Sequence, residues 1–311
     1  AGERVAFGRD AVLDELRADK SLPSGSLPLS RWKEILSKDP AVLDAFERAG
    51  VLDSVTRELD GSLRGLPRAI EGYSPSVFNT ANAVAESYMA SRGEKYNPPT
   101  QFVKVDKARA ERVAKAFDEM KHDPQNPEVK AAYAAMIDET LAQYEAMLAT
   151  GIKVEFVKGN KDPYEGNPRN MTEDVRKNNH MWVFSTRDGF GTDAAFDPKD
   201  NPLLAETKYT FEGEPALAND IFRAVHDYFG HVKEGLGFRA DGEENAWRAH
   251  SAMFSPLARR AMTTETRGQN SWLNFGPHGE TNRTAKVEDT HFADQKVGLL
   301  PQWATDEGRT D

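Results

Sequence analysis

The chain has no cysteine among its 311 residues. Disulfides, thiolate metal sites and cysteine nucleophiles are therefore excluded. No apolar run approaches the ~18 residues of a membrane span. Basic residues are in deficit, with 40 Lys and Arg against 50 Asp and Glu and a net charge of −10. That balance argues against a general nucleic-acid or anionic-membrane surface. There is no internal repeat. The first residues lack the apolar core of a secretory signal, and the chain starts at Ala1 without an initiator Met. A cytoplasmic protein is expected, processed or excised from something longer. The length allows one large or two ordinary domains.

Histidine is scarce as well, but three of the seven lie between 226 and 250. The stretch from Asn219 to Val232 puts His226 and His231 five residues apart, with Asp227 directly after the first and Gly230 directly before the second. Apolar residues at Leu217, Ile221, Phe222, Val225 and Phe229 give Pro215–Phe229 helical spacing. Residues five apart on a regular helix point roughly 140° apart, so the two histidines cannot share one face of it. Glycine tolerates the left-handed conformation that ends helices. The expectation is that Gly230 ends the helix, with His226 on its last turn and His231 just beyond, both rings converging. Two histidines plus one carboxylate form the facial set of non-haem iron oxygenases, and also a common zinc set. The ordinary alternative is a pair of partly buried, hydrogen-bonded rings.

The rest of the chain reads as mainly α with a few short strands (α+β). Residues 1–70 form a helical N-terminal module, with helices over 9–19, 30–37, 40–50 and 51–59. Residues 71–311 form a mostly helical, metal-centred domain. Helices are expected over 74–92, opened by Ser74-Pro75, over 104–121, and over 128–149, the longest. The last carries an apolar stripe of Tyr133, Ile137, Leu141, Tyr144 and Leu148. Residues 152–157 alternate like a half-buried strand, and 181–184 read as a buried one. A short helix over 171–179 and a short strand over 207–211 complete the middle. Helices over 242–254 and 257–266 follow, the second stopped by Arg267-Gly268. The tail from Asn270 is expected to wrap over the site.

Several acids could complete the histidine set: Glu234, Asp241, Glu243, Glu244 and Glu265. Glu243 and Glu244 do not fall clearly on the apolar side of their helix, whereas Glu265 lies near Leu257, Ala261 and Met262 and can point inward. Glu265 is therefore the expected third ligand. A buried unpaired carboxylate is costly, and a metal would neutralise that cost. His250 reads as a ligand, a supporting donor, or a ring packed beside Trp247. Asp227 is expected to orient an imidazole or a water and to take part in catalysis. Arg187 offers a fork for a substrate carboxylate, with pairing to Asp188 or Asp193 as the plainer alternative. Trp182, Tyr228, Phe229, Trp247, Trp272 and Phe275 line a pocket or form core.

With these residues in view, 126–275 resembles the catalytic domain of the pterin-dependent aromatic amino acid hydroxylases. Their iron motif is His-Glu-x-x-Gly-His, matched here by His226-Asp227-Tyr228-Phe229-Gly230-His231, with Asp220 upstream. The family's third ligand lies in a Thr-x-Glu segment. Thr263-Thr264-Glu265-Thr266 is similar, 34 residues after His231. The long helix ending at Thr150-Gly151, the strand after it, and Ser185-Thr186-Arg187-Asp188 are similar in order. Asp227 stands where the family has Glu. The resemblance implies an Fe(II)-dependent monooxygenase acting on a small, amino-acid-like molecule, with tetrahydropterin as reductant. A zinc-dependent hydrolase is the alternative, although its His-Glu-x-x-His spacing is one residue shorter. A third reading is a structural or interaction protein with a vestigial metal site. The segment from Asn126 to Gly151 is similar in character to large proteins of phages and mobile elements, which would make the chain virion-associated.

Overall fold

The computed structural model describes residues 4–5, 27–28, 78–157, 159, 161–189 and 197–311. The chain divides into two compact units, Ala1–Ser76 with Thr100–Phe102, and Val77–Pro99 with Val103–Asp311. In the first, β1 (Arg4–Val5) pairs antiparallel with β2 (Leu27–Pro28). The helices expected over 9–19, 30–37, 40–50 and 51–59 lie outside the described residues.

The second unit is mainly helical with a few short strands. Its first helix, α1 (Asn79–Ser91), is followed by Gly93 at φ 74°, and the expected Ser74-Pro75 start lies outside the described residues. In α2 (Lys107–Glu119), Asp106 caps the amide of Arg109, and Ala110, Val113, Ala114 and Phe117 are buried. The longest helix, α3 (Pro127–Leu148), starts with Asn126 capping two amides and Pro127 in the first turn. Its buried face is rotated from the expected stripe. Tyr133 and Tyr144 are buried, but Ile137, Leu141 and Leu148 are only half-buried, while the polar Glu139, Thr140 and Gln143 lie inside. Apolar spacing misleads because two of these polar groups hold other elements. Glu139 accepts from the amide (2.7 Å) and the hydroxyl (2.6 Å) of Ser255. Gln143 reaches the histidines.

Next come β3 (Lys153–Val157), α4 (Pro168–Asn178) and β4 (His180–Phe184), a parallel strand pair joined by a helix. Asn179, left-handed at φ 47°, closes α4. A short helix, α5 (Thr186–Gly189), follows. An antiparallel hairpin of β5 (Glu206–Phe211) and β6 (Glu214–Leu217) turns at Glu212-Gly213, both with positive φ (48° and 82°). Pro215–Leu217 therefore belong to a strand, not to the histidine helix as expected. Asp220 sets the boundary: its carboxylate accepts from the amides of Leu217 (2.8 Å) and Thr186 (2.7 Å).

The histidine helix is α6 (Ala218–His226), which runs on as a π turn over Asp227–Val232. Then follow α7 (Ala240–Ser251) and α8 (Pro256–Thr263), with a second π turn over Thr264–Gly268 leading into α9 (Gln269–Phe275). The expected stop at Arg267-Gly268 is thus a continuation. A Cβ on Gly268 would lie 3.0 Å from Phe117 and 3.1 Å from Leu300; this glycine permits close packing and does not end a helix. Tyr133, Met136, Ile221, Phe222, Val225, Phe229, Phe254 and Met262 lie in one buried apolar core. The start of the tail reaches the expected site: Asn270 donates to Glu243 at 3.3 Å. Val297 and Leu300 are buried, and Leu300 packs with Val113 and Phe117. Arg267 and Arg248 donate to the tail carbonyls of Ala304, Glu307 and Gly308. Among the described residues, no helix is long and apolar enough to cross a membrane.

His180 clamps the parallel pair to α4. Its Nδ1 is 2.7 Å from Asp174 and its Nε2 is 2.7 Å from Glu155. Burial works against the charged ring, but the two carboxylates outweigh it and raise its pKa above 6.5. The stabilisation is therefore complete below the ordinary histidine value and is lost as pH rises through the raised one. The melting-temperature gap between wild type and His180→Gln should be widest near pH 6 and shrink by about pH 9. A gap that widens with pH would refute the clamp.

Candidate metal centre

A π turn resolves the five-residue spacing without a break. Its hydrogen bonds run i→i+5, so residues five apart come nearly into line. The Lys233 amide bonds back to the Tyr228 carbonyl at 2.9 Å, and the Leu236 amide to the His231 carbonyl at 2.9 Å. Gly230 is not left-handed, contrary to expectation. A Cβ there would lie 3.2 Å from the Ala246 carbonyl oxygen and 3.2 Å from His226 Cε1. The missing side chain lets α7 lie directly across the turn.

This crossing brings Glu243, on the first turn of α7, to the histidines. Glu243 Oε2 is 3.3 Å from His231 Nε2 and 3.9 Å from His226 Nε2. One ligand atom from each of the three lies within 4.8 Å of the others, and among the described residues this is the one such group of His, Asp and Glu. Both rings are buried, His231 with 1% exposure.

Glu265 is not the acid that faces the rings. Its carboxylate is bonded to the Tyr133 hydroxyl at 2.5 Å and to Gln269 at 3.1 Å. Burial raises its pKa to about 7, against the Tyr133 hydrogen bond that lowers it, so hydrogen-bond donors, not a metal, face this carboxyl. The other candidates are engaged too. Glu244 forms a two-pronged pair with Arg267 (2.6 and 3.2 Å), Glu234 pairs with Lys233, and Asp241 accepts from the Val105 amide (2.7 Å).

Hydrogen bonds behind the rings assign their protons. Gln143 donates from Nε2 to the Met253 carbonyl (3.2 Å), so its Oε1 accepts from His250 Nε2 (2.8 Å). His250 is held neutral: burial, then the charges of His226, Lys233 and His231, push its pKa far below 6.5. Its Nδ1 is therefore an acceptor, 3.0 Å from His226 Nδ1, which must carry the hydrogen. On the other side, His231 Nδ1 donates to the Leu236 carbonyl at 3.2 Å. When both rings are neutral, each turns an Nε2 lone pair toward Glu243. Backing of this kind orients metal-ligating histidines.

Two lone pairs and a carboxylate at this separation need a cation among them. Without a metal, protons serve. Burial opposes the charge on Glu243, yet the neighbouring rings hold its pKa down at about 2. Burial likewise opposes charging of His231, but Glu243 and Asp227 raise its pKa. A divalent ion would replace that proton, and the two-nitrogen, one-oxygen donor set fits iron or zinc.

Asp227 sits in the π turn. Burial raises its pKa, opposed by the charges of His231 and His226. Arg187 is engaged on the hairpin, with Nη2 3.5 Å from Glu206 and 3.5 Å from the Pro215 carbonyl; of Asp188 and Asp193, the plainer partners expected for it, Asp193 lies outside the described residues. Tyr228, Phe229 and Trp247 are core, whereas Trp182, Trp272 and Phe275 are half-buried. The sequence reading passed over Gln143 and Phe238. Phe238 is 43% exposed and meets the His231 ring edge-on with centroids 4.7 Å apart. For Gln143 the signal was a polar residue next to Tyr144 and one turn before Met147 on the long helix. Phe238 had none.

Set against protein-family models, curated proteins and solved structures, the chain matches none.

Glu243→Gln should weaken divalent-metal binding at least tenfold, about 1.4 kcal/mol, while Glu265→Gln changes it little. Calorimetric titration of both variants checks the order, and the reverse order would return the ligand role to Glu265. Gln143→Met keeps length but leaves His250 Nε2 without its acceptor. It should lower metal affinity by roughly 10–100-fold with all three ligands present; affinity equal to wild type would sink the backing role.

Proposed function

We propose that this chain is a non-haem Fe(II)-dependent oxygenase of the hydroxylase kind, with His226, His231 and Glu243 as a facial 2-His-1-carboxylate set. The observation that supports it is the convergence of two Nε2 lone pairs on Glu243, with both Nδ1 hydrogens bonded behind. A three-ligand facial set leaves open positions on an iron ion, which would supply the activation of dioxygen. The protein's own groups bind and orient. His250 and Gln143 hold His226, the Leu236 carbonyl holds His231, and Asp227 offers a buried carboxyl whose pKa burial raises.

The resemblance to pterin-dependent hydroxylases supports an amino-acid-like substrate and tetrahydropterin as reductant. It rests on the His226-to-His231 motif, because Thr263–Thr266 directs its Glu toward Tyr133. A zinc-dependent hydrolase is the second reading. Asp227, with its raised pKa beside the set, is the general base such an enzyme needs.

Fe(II) with a reductant should support oxygen consumption by the wild type and not by His226→Ala/His231→Ala, and zinc should inhibit. Ester or peptide turnover with zinc but not iron would transfer the assignment to hydrolase. Failure of either metal to bind more tightly than to the double variant would overturn both.

A further inference from the structure

A cavity lies at the other end of α7. Its volume is about 490 Å³, and its walls come from the end of α1 with the segment after it (Arg92, Lys95), from Ala252–Pro256 with Arg259, and from the tail at Arg309. Glu243 is in the first turn of α7 and Ala252 is its C-cap. At 1.5 Å per residue that separation is about 13 Å, so the cavity is distinct from the histidine set.

Its charge is unbalanced. Four cations, Arg92, Lys95, Arg259 and Arg309, line it with two acids, Glu94 and Glu139, and Arg92 is paired with Asp138 at 3.7 Å, in a chain of net charge −10. Glu139 is committed to Ser255. Arg259 caps the end of α7 through the carbonyls of Ser251 (3.0 Å) and Phe254 (2.8 Å), which leaves Nη1 over. Arg309 has no such task. Its Nε is buried without a hydrogen-bond partner. Burial, then the charge of Arg309, lowers Arg259 to about 10, with Asp306 and Glu139 acting the other way. Asp306 is bonded to Gln302 instead of bridging the two guanidinium groups.

We propose that this cavity binds the dianionic phosphate of a phosphorylated small molecule, clamped between Arg259 and Arg309. Two like charges brought together at a half-buried site repel each other; an oxyanion between them converts that repulsion into attraction. Planar guanidinium forks match phosphate oxygens. Arg92 and Lys95 add charge around them, and the remaining volume admits the organic part of a monoester. Neither arginine belongs to the metal set, so the inference stands independently of the oxygenase reading.

Titrating the full chain with inorganic phosphate, with EDTA present to keep phosphate off any metal, tests it. Wild type should bind phosphate and melt at a higher temperature in its presence. Arg309→Gln should bind at least tenfold more weakly. Its phosphate-free melting temperature should be unchanged or slightly higher, because among the described residues that guanidinium's Nε has no partner, and its charge repels Arg259. Arg309→Lys should fall between the two. Absence of phosphate binding by the wild type, or undiminished binding by Arg309→Gln, overturns the proposal.

Discussion

Two neutral imidazoles cannot turn their lone pairs toward a carboxylate without a cation between them. Here His226, His231 and Glu243 are held in that relation from behind. The Leu236 carbonyl fixes one hydrogen, and the Gln143–His250 chain fixes the other. Burial makes the arrangement costly when unbalanced, and the same burial strengthens its attraction for a positive ion. The surrounding elements can be understood as the means of keeping these three groups together.

The two π turns do the local work. The first aligns residues five apart; the second carries the chain from α8 into α9 while Glu265 turns to Tyr133. Each contains a glycine that permits a close approach: Gly230 under Ala246, and Gly268 against Phe117 and Leu300. The long helix α3 contributes polar groups from its buried face, with Gln143 behind the histidines and Glu139 at the start of α8. In a further buried pair, Arg267 with Glu244, the guanidinium lies 3.9 Å above Trp247 and fastens the tail. That pair also keeps Glu244 from competing for a ligand position.

Much of the secondary structure could be read from periodicity. The helix around Val113 and Phe117, the long helix through Tyr133 and Tyr144, and the strands around Val154 and Val183 all fall where apolar spacing puts them. The histidine pair could be read from its spacing, but the way it converges could not. A five-residue offset can be met by a helix end or by a π turn, and glycine is compatible with both. The choice of acid was obscured for a related reason. From Glu244 to Ser251, α7 is buried on every side, so apolar periodicity does not report which face looks toward the histidines. Hydrogen-bond demand decides instead: Glu244 is claimed by Arg267, and Glu265 accepts from Tyr133. Those partners are distant in sequence and leave no local pattern.

The most direct measurement is anomalous diffraction from crystals of the full chain grown with a divalent transition metal. The account predicts a single strong peak at bonding distance from His226 Nε2, His231 Nε2 and a Glu243 carboxylate oxygen, about 2.0–2.2 Å, with His250 behind His226 and Glu265 still on Tyr133. A peak ligated by Glu265, or histidine rings turned so that Nδ1 faces Glu243, would contradict it.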